Sequence, residues 1–250
     1  HDALAAGFTS VEADVWLVDG ALLVAHDLVD VTPARTLEAL YLAPLRARIA
    51  AQGGSVYAGH VHGLQLLIDI KSDGEPTYRA LHEQLARYSD ILTVFTDQGV
   101  SEGAVTAVIS GNRPRTLMAA QRVRFAGYDG RRGDLGGSDP SSFIPLISDN
   151  WNNLFAWTGE GTFPEAQRTA LHTFVATAHA RGQRVRFWAT PDATPTREAI
   201  WAELIAAGVD YLNTDDLVGL AAYLRVHDPK ASVPQVDWFP AHCPAAHVSP

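Results

Sequence analysis

The segment from Ser10 to Asp27 (SVEADVWLVDGALLVAHD) constrains the fold most, because it reads as two strands joined by a tight turn. Asp19-Gly20 is a residue pair that two-residue hairpin turns favour. Side chains alternate faces along a strand, so Glu12 and Asp14 share one face, while Val11, Ala13 and Val15 face a packed layer. Two carboxylates about 7 Å apart on one strand face repel each other, so we expect a cation or a lysine between them.

The rest of the chain alternates apolar strand-like runs with helical segments, which predicts a parallel sheet covered by helices. A (β/α)8 TIM barrel needs eight strands. The chain opens on what reads as the end of a helix stopped by Gly7, so we expect the barrel's first strand to precede His1. The competing open, doubly wound sheet lacks a glycine-rich phosphate fingerprint after a strand. The seven core strands that we predict contain Glu12, Asp69, Val108, Phe125, Leu146, Phe187 and Leu212.

Length and composition bound the remaining possibilities. We expect one barrel over residues 1–226 and a loosely packed, Pro-rich tail over residues 227–250. The net charge is −9 and no Lys/Arg cluster is long enough to follow a phosphate backbone, which argues against a nucleic-acid partner. No apolar run reaches the roughly 18 residues of a transmembrane segment. Cys243 is the single cysteine, so an intrachain disulfide is excluded within this sequence.

Asp69 and Lys71 lie at the end of the apolar run LQLLIDI and share one strand face. Of 19 basic residues 17 are Arg, so a Lys beside an apolar strand is unusual for this chain. Glu12, Asp14 and Asp69 could together hold Mg²⁺ or Ca²⁺ at the barrel mouth, with Lys71 beside them. The alternative is a set of structural ion pairs without a metal.

His26 follows the second strand of the hairpin and is the candidate general acid or base. Trp188, at the end of a later strand, could form an apolar wall for a substrate or cap the core. Asn213 could bind substrate, and Asp215 is expected to cap the next helix. His60 and His62 could bind a metal, but they lie in a Gly-flanked loop where we expect them to be solvated. Metal binding is not expected at His242, Cys243 and His247 in the tail.

Three motifs together resemble the glycerophosphodiester phosphodiesterase branch of the phosphatidylinositol-phospholipase-C-like barrels. They are G-F-x-S/T-V-E-x-D-V at Gly7–Val15, D-G-x-L-L-V-x-H-D at Asp19–Asp27 and D-I-K at Asp69–Lys71. The spacing is also similar to that of the sphingomyelinase D relatives, which share an acid-x-Lys pair on the third strand and a Trp on the seventh. The segment 208–215 (GVDYLNTD) is similar to the eighth strand of the family.

The resemblance implies a TIM barrel in which Glu12, Asp14 and Asp69 hold Mg²⁺ or Ca²⁺ and Lys71 contacts the phosphate. It implies that His26 is one of two catalytic histidines, the other lying on a first strand before His1. The expected activity is metal-dependent hydrolysis of glycerophosphodiesters to an alcohol and glycerol phosphate. The alternatives are a sphingomyelinase-D-like or cyclising lipid phosphodiesterase, or a barrel that binds metal or phosphate but is catalytically impaired if the chain begins at His1. Head group, choice of metal, oligomeric state and localisation stay open.

Overall fold

The computed structural model describes residues 2–59 and 63–228, which divide into two compact units. The first unit takes in residues 3–129, and the second begins at Gly130. Within the described residues, no helix is long and apolar enough to cross a bilayer. All but two positions of the predicted tail at 227–250 lie outside the described residues, so the division at residue 226 stays a prediction.

The first unit combines parallel strands with helices. A π-helical turn, Glu38–Leu42, runs directly into its second helix. In chain order the helices and strands are α1 (Asp2–Ala5), β1 (Ser10–Val18), β2 (Ala21–Val24), α2 (Ala43–Ala51), β3 (Leu64–Ile70), α3 (Gly74–Ala86), β4 (Val94–Thr96), β5 (Gly99–Ser101), β6 (Val105–Gly111), α4 (Arg115–Ala119), β7 (Val123–Arg124) and β8 (Gly127–Gly130).

The main sheet of the first unit has the order β2-β1-β3-β6-β8. β1, β3, β6 and β8 run parallel, whereas β2 pairs antiparallel with β1 at the edge. β3 is buried over almost its whole length, as expected for an apolar strand covered on both faces. Leu66 and Ile68 have no exposed surface, and each such side chain contributes about 1.5–3 kcal/mol through burial.

The predicted hairpin is present between β1 and β2. Asp19 and Gly20 both have positive φ, +50° and +80°, which is the geometry of a type I′ turn. The turn fixes the register, so Val18 pairs with Ala21 and Val15 with Val24. The hairpin therefore determines where His26 leaves the sheet relative to the acidic face of β1.

One predicted strand is divided into two shorter strands. The sequence predicts a single core strand around Phe125, but Phe125 lies in the bend between β7 and β8. β7 pairs antiparallel with β4 in a small separate sheet of order β5-β4-β7. Only β8 joins the parallel sheet, beside β6. The predicted strand thus contributes to two different sheets. A short run of strand-forming residues does not specify which strand it pairs with.

The second unit also alternates strands and helices, and its strands β9, β10 and β11 pair in parallel in that order. Its core is aromatic: the Trp151 ring contacts those of Phe155, Phe163 and Phe187 at centroid distances of 4.4, 6.0 and 6.0 Å. Its elements are β9 (Leu146–Asn150), α5 (Trp151–Leu154), α6 (Glu165–His179), β10 (Arg184–Trp188), α7 (Thr196–Ala207), β11 (Tyr211–Leu212) and α8 (Leu217–His227).

A buried carboxylate anchors the start of β10. Asp210 Oδ2 accepts hydrogen bonds from the Val185 backbone N–H, at 2.8 Å, and from His179 Nε2, at 2.9 Å. The described residues thus contain four parallel strands in the first unit and three in the second, alternating with helices. The predicted α/β class is confirmed, and closure into a complete barrel stays a prediction.

Candidate metal and phosphodiester site

The register between β1 and β3 brings the two predicted acidic segments together. Asp14 and Asp69 are paired positions on neighbouring parallel strands, and Glu12 lies two residues before Asp14 on the same face. On the opposite face Ala13 and Val15 are buried, with exposures of 1% and 0%. The strand therefore places its apolar residues in the core and its carboxylates at the surface of the sheet.

Glu12, Asp14 and Asp69 form a cluster that could hold a cation, and their ligand oxygens all lie within 4.8 Å of one another. Glu12 is exposed, and the other two are partly buried. Asp69 Oδ1 is buried and has no hydrogen-bond donor among the described residues. A cluster of carboxylates that includes an oxygen lacking a donor suits a hard divalent cation such as Mg²⁺ or Ca²⁺.

Lys71 is the positive charge that the sequence predicted beside these acids. Its Nζ lies 2.6 Å from Asp69 Oδ2 and 3.3 Å from Asp14 Oδ1. Burial lowers the pKa of Lys71, but the hydrogen bond and charge of Asp69, reinforced by Asp14, outweigh burial and raise the pKa overall. Lys71 is therefore an ammonium at neutral pH. Three carboxylates and one ammonium leave a charge of −2 at the cluster, which a divalent cation would balance.

His26 contacts the same cluster from the hairpin. Its Nδ1 lies 2.8 Å from Asp14 Oδ2, and the backbone N–H of Ala25 donates to the Asp14 carbonyl at 3.2 Å. The hydrogen bond and charge of Asp14 raise the pKa of His26, while the nearby Lys71 opposes them. The side chain is 78% exposed, so Nε2 is the ring nitrogen that can face a substrate.

Sequence reasoning missed three residues around this cluster. The Tyr41 hydroxyl, on the π-helical turn, donates to the Glu12 carbonyl at 2.9 Å. Burial and the charge of Asp14 raise the pKa of Tyr41. The other two, Gly111 and Asn112, lie against the end of β3. The local sequence pattern marks Gly111-Asn112 only as a strand end and gives no signal for Tyr41. The contacts of these three residues join positions 29 to 42 residues apart in the sequence, which a local pattern cannot detect.

The remaining candidates lie in the second unit or outside the described residues. Trp188 ends β10, and the guanidinium of Arg131 lies 4.7 Å from its ring centroid. Asn213 Oδ1 accepts from Arg186 Nη2 at 2.5 Å. Outside the described residues are His60, His62, His242, Cys243 and His247.

The predicted helix cap is wrong by one position. The cap of α8 is Asp216, not Asp215, because Asp216 Oδ1 accepts from the Gly219 N–H at 2.8 Å. This hydrogen bond lowers the pKa of Asp216. Asp215 is exposed beside it.

Comparison with known families agrees with the motifs of the first unit. A family model described as an AIM6-like phosphodiesterase domain matches residues 1–129, more than half of the chain. The chain belongs to the AIM6-like phosphodiesterase family. A model of the glycerophosphoryl diester phosphodiesterase family also matches residues 184–217 of this AIM6-like chain. The predicted membership of the glycerophosphodiester-phosphodiesterase-like superfamily is thereby confirmed.

Its relatives include fungal proteins named altered inheritance of mitochondria protein 6. The protein from Eremothecium gossypii is 31% identical over 252 residues, which cover 88% of this chain and 65% of the relative. The homologue from Arthroderma benhamiae is 28% identical over 240 residues, covering 88% of this chain and 76% of the relative. This AIM6-like chain thus spans less than two thirds of the length of the first relative.

A solved structure supports the fold. The crystal structure of a glycerophosphodiester phosphodiesterase from Agrobacterium tumefaciens superimposes with a TM-score of 0.50, and the match covers 89% of each chain. The sequence identity is 16%, so the likeness concerns the fold alone.

Proposed function

We propose that this AIM6-like chain hydrolyses glycerophosphodiesters to an alcohol and glycerol phosphate in a reaction that depends on Mg²⁺ or Ca²⁺. The observation that carries the proposal is the paired position of Asp14 and Asp69 on the neighbouring strands β1 and β3. This pairing brings the acidic cluster, Lys71 and His26 together. Hydrolysis of a phosphodiester needs neutralisation of its charge, a base that takes a proton from the attacking water and an acid that gives one to the leaving alkoxide. The acidic cluster with its cation and Lys71 would neutralise the charge, and His26 would carry out one of the two proton transfers.

Each residue has a proposed role. Glu12, Asp14 and Asp69 would hold the cation, which would neutralise the non-bridging phosphate oxygens. Lys71 attracts and orients the phosphate through its ammonium group. His26 transfers a proton at Nε2, while Asp14 holds Nδ1 and so fixes the orientation of the ring.

Two further proposals accompany this function. The strands of the described residues belong to a (β/α)8 barrel, which a crystal structure of the protein would test. Trp188 forms an apolar wall for the substrate, because it ends a strand at the carboxyl edge of a parallel sheet, where such folds bind ligands.

The decisive experiment measures release of choline from glycerophosphocholine with and without a chelator. We expect chelation to abolish activity and His26→Ala to lower kcat by about 100-fold or more, as for other general acid–base residues. His172→Ala is the matched control, since His172 is exposed on α6. Activity that persists through both chelation and His26→Ala would refute the proposal.

A lipid phosphodiesterase of the sphingomyelinase D type is the second candidate. Asp69 favours it, because many glycerophosphodiesterases have Glu where this acid-x-Lys pair has Asp. Lysophosphatidylcholine distinguishes the candidates, and phosphorus NMR of the product separates hydrolysis from cyclisation. A protein that binds metal but cleaves neither substrate would support the third possibility, an impaired barrel.

A further inference from the structure

The end of β6 packs closely against the end of β3, where Asp69 and Lys71 lie. In the parallel register Asp69 pairs with Ser110, and Ile70 pairs with Gly111. The Asn112 backbone N–H continues this pairing by donating to the Ile70 carbonyl at 2.9 Å. Gly111 and Asn112 are therefore the residues that face the strand end carrying the acid-x-Lys pair.

Gly111 leaves the space that the Asp69 carboxylate occupies. A Cβ at this position would lie 2.0 Å from Asp69 Oδ1 and 2.4 Å from the Ile70 carbonyl oxygen, both far inside contact distance. Its φ of +67° also disfavours any side chain. Gly53 has a similar φ of +75°, but a Cβ there would meet nothing within 4 Å. The crowding against Asp69 is thus a property of position 111 and not of left-handed glycines in general.

Asn112 fixes the backbone that follows Asp69. Its Nδ2 donates to the Ser72 carbonyl at 3.0 Å and to the Lys71 carbonyl at 3.4 Å. On its other side, a Cβ at Gly74 would lie 2.1 Å from the Asn112 carbonyl oxygen, so the first residue of α3 also approaches Asn112 closely. The segment from Lys71 to Gly74 is therefore held against the end of β6 by one side chain and one close backbone contact.

We propose that Gly111 and Asn112 are positioning residues for the metal and phosphate site. Gly111 sets the orientation of the Asp69 carboxylate by leaving room for Oδ1, and Asn112 holds the backbone that directs Lys71 toward the same cluster. This inference rests on the proposed function, because it assigns the two residues to the cation that Asp69 would bind.

The test compares two glycine variants by calorimetric titration with Mg²⁺ and with Ca²⁺. Gly111→Ala and Gly53→Ala both introduce a side chain at positive φ, but only Gly111→Ala places a Cβ against Asp69. We expect Gly111→Ala to weaken metal binding by about 10–100-fold, the usual effect of losing support around a ligand, and Gly53→Ala to bind as the wild type does. A folded Gly111→Ala protein with the wild-type dissociation constant would overturn the role of Gly111.

Asn112→Ala is measured in the same titration and gives an independent result if Gly111→Ala does not fold. Asn112 is exposed, so its truncation leaves the core intact. We expect weaker metal binding by about two- to tenfold, in line with the loss of hydrogen-bond support. Asn152→Ala, which removes an exposed amide donor in the second unit, is the matched control. Unchanged binding in Asn112→Ala would overturn the role of Asn112.

A double-mutant cycle separates failure of this inference from failure of the proposed function. Urea unfolding in chelator gives the cost of Gly111→Ala in the wild type and in an Asp69→Ala background. Because the variant at position 69 lacks Oδ1, we expect a smaller cost there, although the contact with the Ile70 carbonyl remains. Equal costs would refute the link to Asp69 even if metal binds. A wild-type protein that binds neither cation would instead refute the proposed metal site, whatever the cycle gives.

Discussion

Lys71→Met tests whether the ammonium balances the acidic cluster when no metal is bound. Lys71 Nζ lies 2.6 Å from Asp69 Oδ2 and 3.3 Å from Asp14 Oδ1. Two opposite charges 4 Å apart attract by about 4 kcal/mol at an effective dielectric constant of 20. The three side chains are 24%, 16% and 19% exposed, so water screens part of this attraction. The two ion pairs of Lys71 are neither fully exposed nor fully buried. We therefore expect Lys71→Met to lower the unfolding free energy by about 1–3 kcal/mol, between the values typical of exposed and buried ion pairs.

A bound divalent cation should compensate for most of this loss. Without the ammonium, Glu12, Asp14 and Asp69 leave a charge of −3 at the cluster, which destabilises the folded protein and strengthens its attraction for a cation. At a metal concentration of about 100 times Kd, binding stabilises the folded state by about 2.7 kcal/mol. We therefore expect the metal-induced stabilisation to be larger in Lys71→Met than in the wild type.

The assay is urea unfolding of the wild type, Lys71→Met and Lys71→Arg, each in chelator and in saturating Ca²⁺. Lys71→Arg keeps the positive charge and controls for the replacement of the lysine side chain itself. Lys71→Met should be the least stable in chelator and should gain the most from Ca²⁺. If Lys71→Met is as stable as the wild type in chelator, the ammonium does not act as the counter-charge and the electrostatic reasoning is wrong.

Three further predictions concern the rest of the chain. Burial between aromatic rings lowers the pKa of His82 below its value in the unfolded chain. The neutral His82 side chain therefore contributes fully to stability above about pH 6.5, and this contribution is lost as the pH falls. In His82→Phe the urea midpoint should vary less between pH 7.5 and 5 than in the wild type. Asp210→Ala should cost about 1–3 kcal/mol in urea unfolding, because it leaves the Val185 N–H without its acceptor, whereas Asp215→Ala on the surface should cost little. Trp188→Ala should raise KM for the phosphodiester with little change in kcat or in thermal stability, and a fall in kcat alone would contradict its role as a substrate wall.

The strands that carry the site could be predicted because their signals are local. Asp19-Gly20 specifies a type I′ turn, and the run from Leu64 to Ile70 is apolar enough to mark a buried strand. The shared face of Glu12 and Asp14 follows from the two-residue repeat of a strand alone.

The errors arose where two interpretations are locally equivalent. Val123 and Arg124 are suited to a strand, but their partner is β4, and only tertiary structure selects that partner over the parallel sheet. Asp215 and Asp216 are equally good capping residues, and the backbone geometry at the start of α8 decides between them. Strand partners and exact helix ends depend on contacts that a pattern of residue types does not encode.

The residues that support the site belong to a third class, which sequence periodicity cannot find in principle. Gly111 ends β6 by its pattern, yet the reason for glycine there is the carboxylate of Asp69, 42 positions earlier. Tyr41 likewise acts across 29 positions, through the carbonyl of Glu12. The parallel register of β1, β3 and β6 turns these distant positions into neighbours. In a site built on neighbouring parallel strands, the pattern of each strand predicts its own charged ligands. The residues that hold those ligands in place lie on the adjacent strand, and only the strand register identifies them. A glycine at the end of one strand should therefore be examined together with the charged residue near the end of the neighbouring strand.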